Sequence, residues 1–435
     1  MFAKILIANR GEVAVRIIRA CREMGIRTVA VFSRADSESL HVSLADESVC
    51  IGEALARDSY LNQNAIVAAA KATRAQAIHP GYGFLAENSE FAALCEAQGI
   101  TFIGPRSSVI ARLGDKETAR AMMRQASVPL LPGSSLVATA EEAKTESAKI
   151  GFPLLVKATA GGGGRGIRLA KTTSELENAF ESAKTEARGA FGNEGVYLEK
   201  YLEHARHIEI QILADNEGNV VCLGERECSV QRHHQKLVEE SPSCAVDCDT
   251  RDRMIDASVK AAKAAGYTGV GTVEFLLCGK DFYFMEMNTR LQVEHGVTEA
   301  VTGIDIVKWQ IRICANVPLG FSQKDVAISG HALECRINLK GAANATLELL
   351  HVPGGMSVRF DCALYQGYTI PSFYDACIGK LIVWAQTREE AIRKMDAALC
   401  ELILKGVDTN RDEALEIISD ERFVSGDYDT NFFKD

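Results

Sequence analysis

The stretch that most constrains how this chain folds is residues 282–295, which reads FYFMEMNTRLQVEH. Its aromatic and large apolar beginning is typical of a β-strand. Alternate residues of a strand share a face, so the run predicts a polar row of side chains on one face. That row would hold Glu286, Asn288 and Arg290, and the opposite face Met285, Met287 and Thr289. A buried sheet accommodates such a polar row only where something polar lies over it.

A second strand-like run, residues 272–278, precedes this stretch, and residues 279–281 (Gly-Lys-Asp) between them indicate a hairpin turn. A three-residue loop would place Glu274 directly opposite Glu286. Facing carboxylates repel each other, but a divalent cation between them turns repulsion into coordination, and Asn288 adds a ligand that suits Mg²⁺. The sequence favours this metal site over the alternative, two acids that never meet.

Length and composition exclude several classes of protein. The chain has 435 residues, enough for about three domains of ~150 residues. Its net charge of −10 argues against a nucleic-acid-binding surface. The 13 cysteines form no CxxC pair, which predicts reduced thiols in a cytoplasmic protein. The N-terminus has no signal-peptide pattern, and no apolar run reaches the ~18 residues of a membrane span, so no membrane partner is expected.

The first hundred residues alternate between strand-like and helix-like segments. Strands are predicted at 4–8, 28–32, 48–51, 76–79 and 101–103, with helices between them. Such alternation predicts a parallel sheet covered by helices on both faces. The first turn reads ANRGE and lacks the G-x-G-x-x-G fingerprint, so no nicotinamide site is expected there.

Residues 153–170 predict a strand, a glycine-rich loop and a second strand, within a small inserted domain that ends near residue 202. No Gly-Lys-Ser/Thr triplet occurs, which argues against a P-loop. Four successive glycines let backbone N–H groups wrap an anion and suit a lid over phosphates. Lys157 and Arg165 favour phosphate binding over the alternative, a flexible hairpin tip. Ser174 and Glu177 predict a capping box for the next helix.

Nine motifs, in order along nearly the whole chain, together resemble the biotin carboxylase family of ATP-grasp enzymes. They are IANRGE at 7–12, HPGYGFLAEN at 79–88, GDK at 114–116, KATAGGGGRGIR at 157–168, YLEKYLE at 197–203, RHIEIQ at 206–211, QRHHQK at 231–236, EMNTRLQVEH at 286–295 and GHALECRIN at 330–338. The resemblance implies a mixed α/β and α+β fold. Its parts would be an N-terminal parallel α/β domain at 1–113, an ATP-grasp domain at 114–330 with its lid at about 129–202, and a C-terminal β-rich domain at 331–435.

The resemblance also implies an activity. ATP would phosphorylate bicarbonate to carboxyphosphate, and the carboxyl group would then pass to N1′ of biotin, the first half-reaction of acetyl-CoA carboxylase. Two Mg²⁺ ions are expected, with Mn²⁺ as the alternative metal. No biotinyl Met-Lys-Met motif occurs, so the biotin carboxyl carrier protein and the carboxyltransferase subunits would be separate partners of a homodimer. The alternatives are another ATP-grasp carboxylate ligase and a non-catalytic homologue.

The family's functional residues carry over to matching positions. ATP would be bound by Lys116, Lys157, Gly163, Gly164, Glu199, Lys200, Leu202, His207, Gln231 and His234. The metals would be held by Glu274, Glu286 and Asn288, and bicarbonate by Lys236, Arg290, Gln292 and Val293. Glu294 would take the proton of bicarbonate, and Arg336 would stabilise the biotin enolate near Tyr82. Arg290, Glu294, Lys236 and Arg336 form the implied catalytic set.

Three segments depart from the family pattern. Residues 339–350 (LKGAANATLELL) replace a longer proline-containing stretch, which puts the backbone near Arg336 and any subunit contact there in question. Gly296 stands where the family usually has proline, which predicts a looser bicarbonate loop. Ala160 replaces one glycine of the lid. No catalytic side chain is lost.

Overall fold

The N-terminal part of this computed structural model is a five-stranded parallel sheet of order β3-β2-β1-β4-β5. The structure describes residues 1–158, 166–191, 195–233, 235–341 and 344–433. The strands are β1 Lys4–Ile7, β2 Arg27–Ser33, β3 Glu47–Gly52, β4 Ala77–His79 and β5 Thr101–Phe102; the helices are α1 Gly11–Glu23, α2 Leu40–Leu44, α3 Gln63–Thr73, α4 Ser89–Ala97 and α5 Ser107–Gly114. The predicted parallel α/β unit is confirmed. Asn62 and Asn88 cap α3 and α4 by accepting backbone N–H bonds.

A small body with its own apolar core follows. It contains α7 Ala140–Ile150, β6 Leu154–Ala158, β7 Ile167–Ala170, α8 Thr173–Phe191 and β8 Val196–Lys200, with an antiparallel sheet of order β7-β6-β8. The helix before it, α6 Lys116–Gln125, belongs instead to the core of the large sheet through Ala119 and Met123. The predicted capping box is wrong because α8 already begins at Thr173. Glu175, not Glu177, reaches back to accept the Lys171 N–H at 2.7 Å.

The rest of the chain is built on one eight-stranded antiparallel sheet of order β13-β12-β9-β10-β11-β14-β19-β17. Up to residue 330 its elements are β9 Arg206–Ala214, β10 Val220–Arg232, β11 Gln235–Ser241, α9 Cys248–Ala265, β12 Gly269–Cys278, β13 Asp281–Asn288, α10 His295–Thr302 and α11 Ile306–Cys314. Beyond it come β14 His331–Asn338, β15 Ala345–Thr346, β16 Leu349–His351, β17 Val358–Cys362, β18 Thr369–Ile370, β19 Cys377–Ala385, α12 Arg388–Glu401, β20 Ile403–Lys405, α13 Arg411–Ser419 and α14 Glu421–Ser425. Because β11 pairs with β14, the sheet continues across residue 330.

The hairpin of β12 and β13 has the predicted pairing by an unpredicted route. Glu274 lies opposite Glu286, but Cys278 pairs with Asp281, so the turn holds two residues rather than three. A bulge at Met285 supplies the missing residue and restores the register. The bulge also changes the faces: Met287 is buried whereas Met285 is 40% exposed. The prediction that these two methionines share a face is therefore wrong.

The two faces of the large sheet differ in chemistry. On β9 the even-numbered Ile208, Ile210 and Ile212 pack with α9 in one apolar core. The odd-numbered residues between them are polar and point to the opposite face. None of the described helices is long and apolar enough to cross a membrane.

Candidate active site

The site begins with three carboxylates in a row across three neighbouring strands. Glu209 of β9 pairs with Glu274 of β12, which pairs with Glu286 of β13. Glu209 and Glu274 are buried, whereas Glu286 is exposed. Buried acids of like charge are stable together only if cations lie among them.

Lys236 of β11 is the central cation. Its ammonium donates to Glu209 Oε2 at 2.6 Å and to Glu294 Oε1 at 2.5 Å, and lies 3.4 Å from Glu274 Oε1. Burial opposes this charge, but the surrounding acidic groups, with Cys228 and Glu209 first among them, raise the pKa of Lys236 well above its usual range. Lys236 is therefore a permanent positive charge.

Glu294 lies between two cations. Its second oxygen, Oε2, accepts from Arg336 Nη2 at 2.9 Å, and Arg336 Nε donates to Glu239 at 2.6 Å. Burial alone would favour the neutral acid, but Lys236 and Arg336 hold the pKa of Glu294 well below its usual range. The carboxylate is ionised and able to accept a proton.

Arg290 and Gln292 connect this cluster to the hairpin. The Arg290 guanidinium donates to Glu87 Oε2 at 2.8 Å, to Gln292 Oε1 at 3.1 Å and to Asn288 Oδ1 at 3.2 Å. The amides of Gln292 and Asn288 both donate to Glu274 Oε1, at 3.0 and 2.8 Å. The predicted bicarbonate residues are thus brought together beside the predicted metal residues.

The donor set of the hairpin fits a hard cation. His207 Nε2 lies 3.1 Å from Glu274 Oε2, and ligand atoms of His207, Glu209 and Glu274 all lie within 4.8 Å of one another. Desolvation of its carboxylate by the surrounding protein, and then the charges of Glu274 and Glu87, raise the pKa of Glu286. A divalent ion beside Glu286 would relieve this repulsion with the carboxylate and amide oxygens that Mg²⁺ prefers.

The predicted nucleotide residues form a second group around β8. Glu199, which is buried, accepts from Lys157 and from Arg120 Nη1, the latter at 3.2 Å. Lys200 instead donates to the carbonyls of Gly151 and Phe152. Two members connect to the first group, since Gln231 Nε2 lies 3.0 Å from His207 Nδ1.

The remaining predicted residues are less tied to this cluster. Leu202 is half-buried, Lys116 opens α6, and the Tyr82 ring lies 5.9 Å from Lys380 Nζ. Gly163, Gly164 and His234, together with Ala160 and Arg165, lie outside the described residues.

Sequence reasoning missed several partners of the site. Glu209 lies in the alternating run HIEIQI, where the polar residues between isoleucines were an available signal. Arg226, fully buried, donates to Glu209 and to Gln211 behind it. No local pattern indicates the contact of Glu87 with Arg290, because 203 residues separate them.

The departures from the family pattern leave the site supported. Asn410 holds the backbone of β14 by donating to the Arg336 carbonyl at 3.0 Å and accepting from Asn338 N–H at 2.7 Å. This support does not involve the altered segment 339–350. At Gly296 a side chain would begin 2.4 Å from Ile382 Cδ1, so Ile382 fills that space.

Three family models match the chain. They are "Biotin carboxylase, N-terminal domain" over residues 1–110, "Carbamoyl-phosphate synthase L chain, ATP binding domain" over 115–321 and "Biotin carboxylase C-terminal domain" over 334–435. Biotin carboxylase 1 of Bacillus subtilis is 53% identical over 443 residues, covering 100% of this chain and 98% of the relative. A pyruvate carboxylase subunit from Methanothermobacter thermautotrophicus is 50% identical over 439 residues, covering 99% and 89%.

Two solved structures have the same architecture. Biotin carboxylase from Campylobacter jejuni superposes with a TM-score of 0.95 at 46% identity, covering 100% of this chain and 98% of that one. The biotin carboxylase domain dimer of Hydrogenobacter thermophilus 2-oxoglutarate carboxylase, solved with MgADP, ADP and bicarbonate, gives 0.94 at 48%, covering 100% and 97%. The predicted fold class and enzyme class are confirmed. This chain belongs to the biotin carboxylase family of ATP-dependent ligases.

Proposed function

We propose that this protein uses ATP to activate bicarbonate as carboxyphosphate and transfers the carboxyl group to biotin. The observation that carries the proposal is the ionised Glu294, with Lys236 on one oxygen and Arg336 on the other. An anion-activating site needs a base and cations arranged before the substrate arrives.

Glu294 is the base for bicarbonate in this proposal. Even a carboxylate of ordinary pKa ~4.3 cannot deprotonate so weak an acid alone, and each unit of mismatch is worth ~1.4 kcal/mol. Lys236 and Arg336 lower the pKa of Glu294 and so widen this mismatch. Lys236 and Arg290 supply the compensating charge, with Gln292 and the backbone of Val293 orienting the anion. When Glu294 takes the proton it becomes neutral, and its electrostatic attraction to Lys236 and Arg336 weakens. Lys236 is then available to the developing dianion, and Arg336 to the biotin enolate beside Tyr82.

The β12–β13 hairpin and the small body that contains β8 hold the nucleotide in this proposal. Glu274, Glu286 and Asn288 would bind the two metal ions, which when bound neutralise charge on the phosphoryl group in transit. ATP would be held by Lys116, Lys157, Glu199, Lys200, Leu202, His207 and Gln231, and by Gly163, Gly164 and His234. Lys157 and Arg120 both donate to Glu199, so two cations lie among the residues assigned to ATP.

The proposal includes partners and domains. We assign residues 1–113, 114–330 and 331–435 to the three domains, and we expect a homodimer that works with a carrier protein and carboxyltransferase subunits. Full-length relatives include one named as part of pyruvate carboxylase. The transferase partner, rather than this chain, would therefore set the final acyl acceptor, acetyl-CoA or another.

The direct test measures ADP release by the purified protein with Mg²⁺ and ATP, with and without bicarbonate and free biotin. We expect release that saturates with bicarbonate and rises with biotin. Release stimulated instead by a different carboxylic acid would support another ATP-grasp ligase. ATP binding without any such release would support a non-catalytic homologue.

A further inference from the structure

Lys380 is a fully buried lysine on β19, directly opposite Arg336 of β14. Its ammonium donates to the carbonyl of Val293 at 2.7 Å and lies 5.9 Å from the centre of the Tyr82 ring. It thus touches the backbone just before Glu294 while lying beside the residues assigned to biotin.

Acidic residues from three different elements surround Lys380. Glu12 Oε1 of α1 lies 3.4 Å from its ammonium, and Glu334 and Asp361 come from the two strands that flank β19. Arg359 pairs with Asp361. Among the described residues, no hydrogen bond reaches either carboxylate oxygen of Glu12 or of Glu334. Burying a cation costs several kcal/mol, and an apolar residue would serve packing better. Burial opposes the ammonium charge, but Glu12, Glu334 and Asp361 raise the pKa of Lys380.

The group that accepts the hydrogen bond from Lys380 indicates the role of its charge. The Val293 carbonyl belongs to the peptide that joins Val293 to Glu294, and a peptide group is planar and rigid. Glu294 is the N-cap of α10, so this peptide joins the loop to the first turn of the helix. The hydrogen bond from the Lys380 ammonium to this carbonyl therefore fixes the Val293–Glu294 peptide where the chain enters α10.

We propose that Lys380 is a positioning residue, which fixes the Val293–Glu294 peptide and thereby sets how bicarbonate lies against Glu294 and Arg290. The inference rests on the proposed function, because it assigns bicarbonate to this loop. Lys380 itself touches no substrate. It acts from the side of the sheet where α1 and β17 supply the acids that hold its charge.

The test compares Lys380→Met with the double variant Lys380→Met/Glu12→Gln. Loss of a charged hydrogen bond predicts at least a ~10-fold rise in KM for bicarbonate in both variants, with KM for ATP unchanged. The single variant leaves the Glu12 acid without its cation and should also melt at a lower temperature. The double variant removes that acid and should recover thermal stability without recovering KM. The double variant is therefore the deciding one if Lys380→Met folds poorly.

Arg388→Met is the matched control. Arg388 is a cation of the same C-terminal region that donates to Glu240 and to the Phe423 carbonyl. It should lose stability with no change in KM for bicarbonate. A double variant with wild-type KM for bicarbonate would overturn the inference and leave the proposed function intact. Wild-type ADP release that does not depend on bicarbonate would overturn both.

Discussion

The two faces of the large antiparallel sheet use the same strands for opposite purposes. On β9 and β12, Ile210, Val273 and Phe275 lie in the apolar core with α9, while Glu209 and Glu274 lie on the other face among cations. Both faces are buried. The apolar face needs only volume, whereas the polar face needs a partner for each charge. The difference predicts that changes on the apolar face affect stability alone, whereas changes among the polar residues of the site affect chemistry as well.

The largest effect is expected from Glu294→Gln on the polar face. The amide cannot accept the proton, so kcat for biotin-dependent ADP release should fall about 10²–10⁴-fold. The melting temperature should fall only modestly, because the amide keeps the shape of the side chain and Lys236 and Arg336 keep Glu209 and Glu239 as partners. Steady-state kinetics and a thermal melt on the same preparation measure both. Retained turnover would remove Glu294 from the role of base.

Phe275→Ala is the counterpart on the apolar face. Phe275 is fully buried and meets Phe282 and Phe284 edge to face. Its loss should cost about 3–5 kcal/mol of unfolding free energy. Denaturant unfolding measures this cost, and KM for bicarbonate below the melting temperature should not change. A selective rise in that KM would mean that the two faces are not independent.

The buried acid Glu12 sharpens the comparison through pH. Burial raises the pKa of Glu12 from 4.5 to about 7, with Lys380 only partly opposing. The unfolded chain loses this proton near pH 4.5 while the folded protein keeps it to about pH 7, so this group's contribution to stability falls as pH rises through that window. The loss amounts to about 3 kcal/mol. Glu12→Gln should remove it.

The measurement is the unfolding free energy of the wild type and Glu12→Gln at several pH values from 4.5 to 8. The unfolding free energy of Glu12→Gln should increase relative to that of the wild type as pH rises. Parallel curves would show that Glu12 ionises normally in the folded protein.

The smallest effects on stability are expected from Thr272 and Val273, adjacent residues of β12 whose side chains point to opposite faces. Thr272→Val makes the chain more apolar, yet it removes the hydroxyl that accepts from Arg226 Nη2 at 3.1 Å. Val273→Thr places a hydroxyl in the apolar core. Each should cost about 1–3 kcal/mol by denaturant unfolding. A stabilising Thr272→Val would show that Arg226 does not need this partner.

Local patterns predicted the elements and much of the site. Alternation along the first hundred residues gave the parallel sheet, and the hairpin argument placed Glu274 opposite Glu286. The turn length and the faces of Met285 and Met287 were wrong, because a bulge costs little and leaves no clear mark in sequence. The capping box was misplaced because several polar residues near Thr173 were suitable caps.

The sequence by itself determined which segments are strands or helices, which residues share a face wherever a strand is regular and, through its motifs, the family. Those properties depend on neighbours a few positions apart. Only the tertiary structure decided which charge meets which: Arg290 with Glu87, Lys236 with Glu209, and Lys380 with the Val293 carbonyl. Such pairs join strands and helices far apart in the chain. Their geometry depends on how sheet register and packing bring those elements together, and no local pattern encodes it.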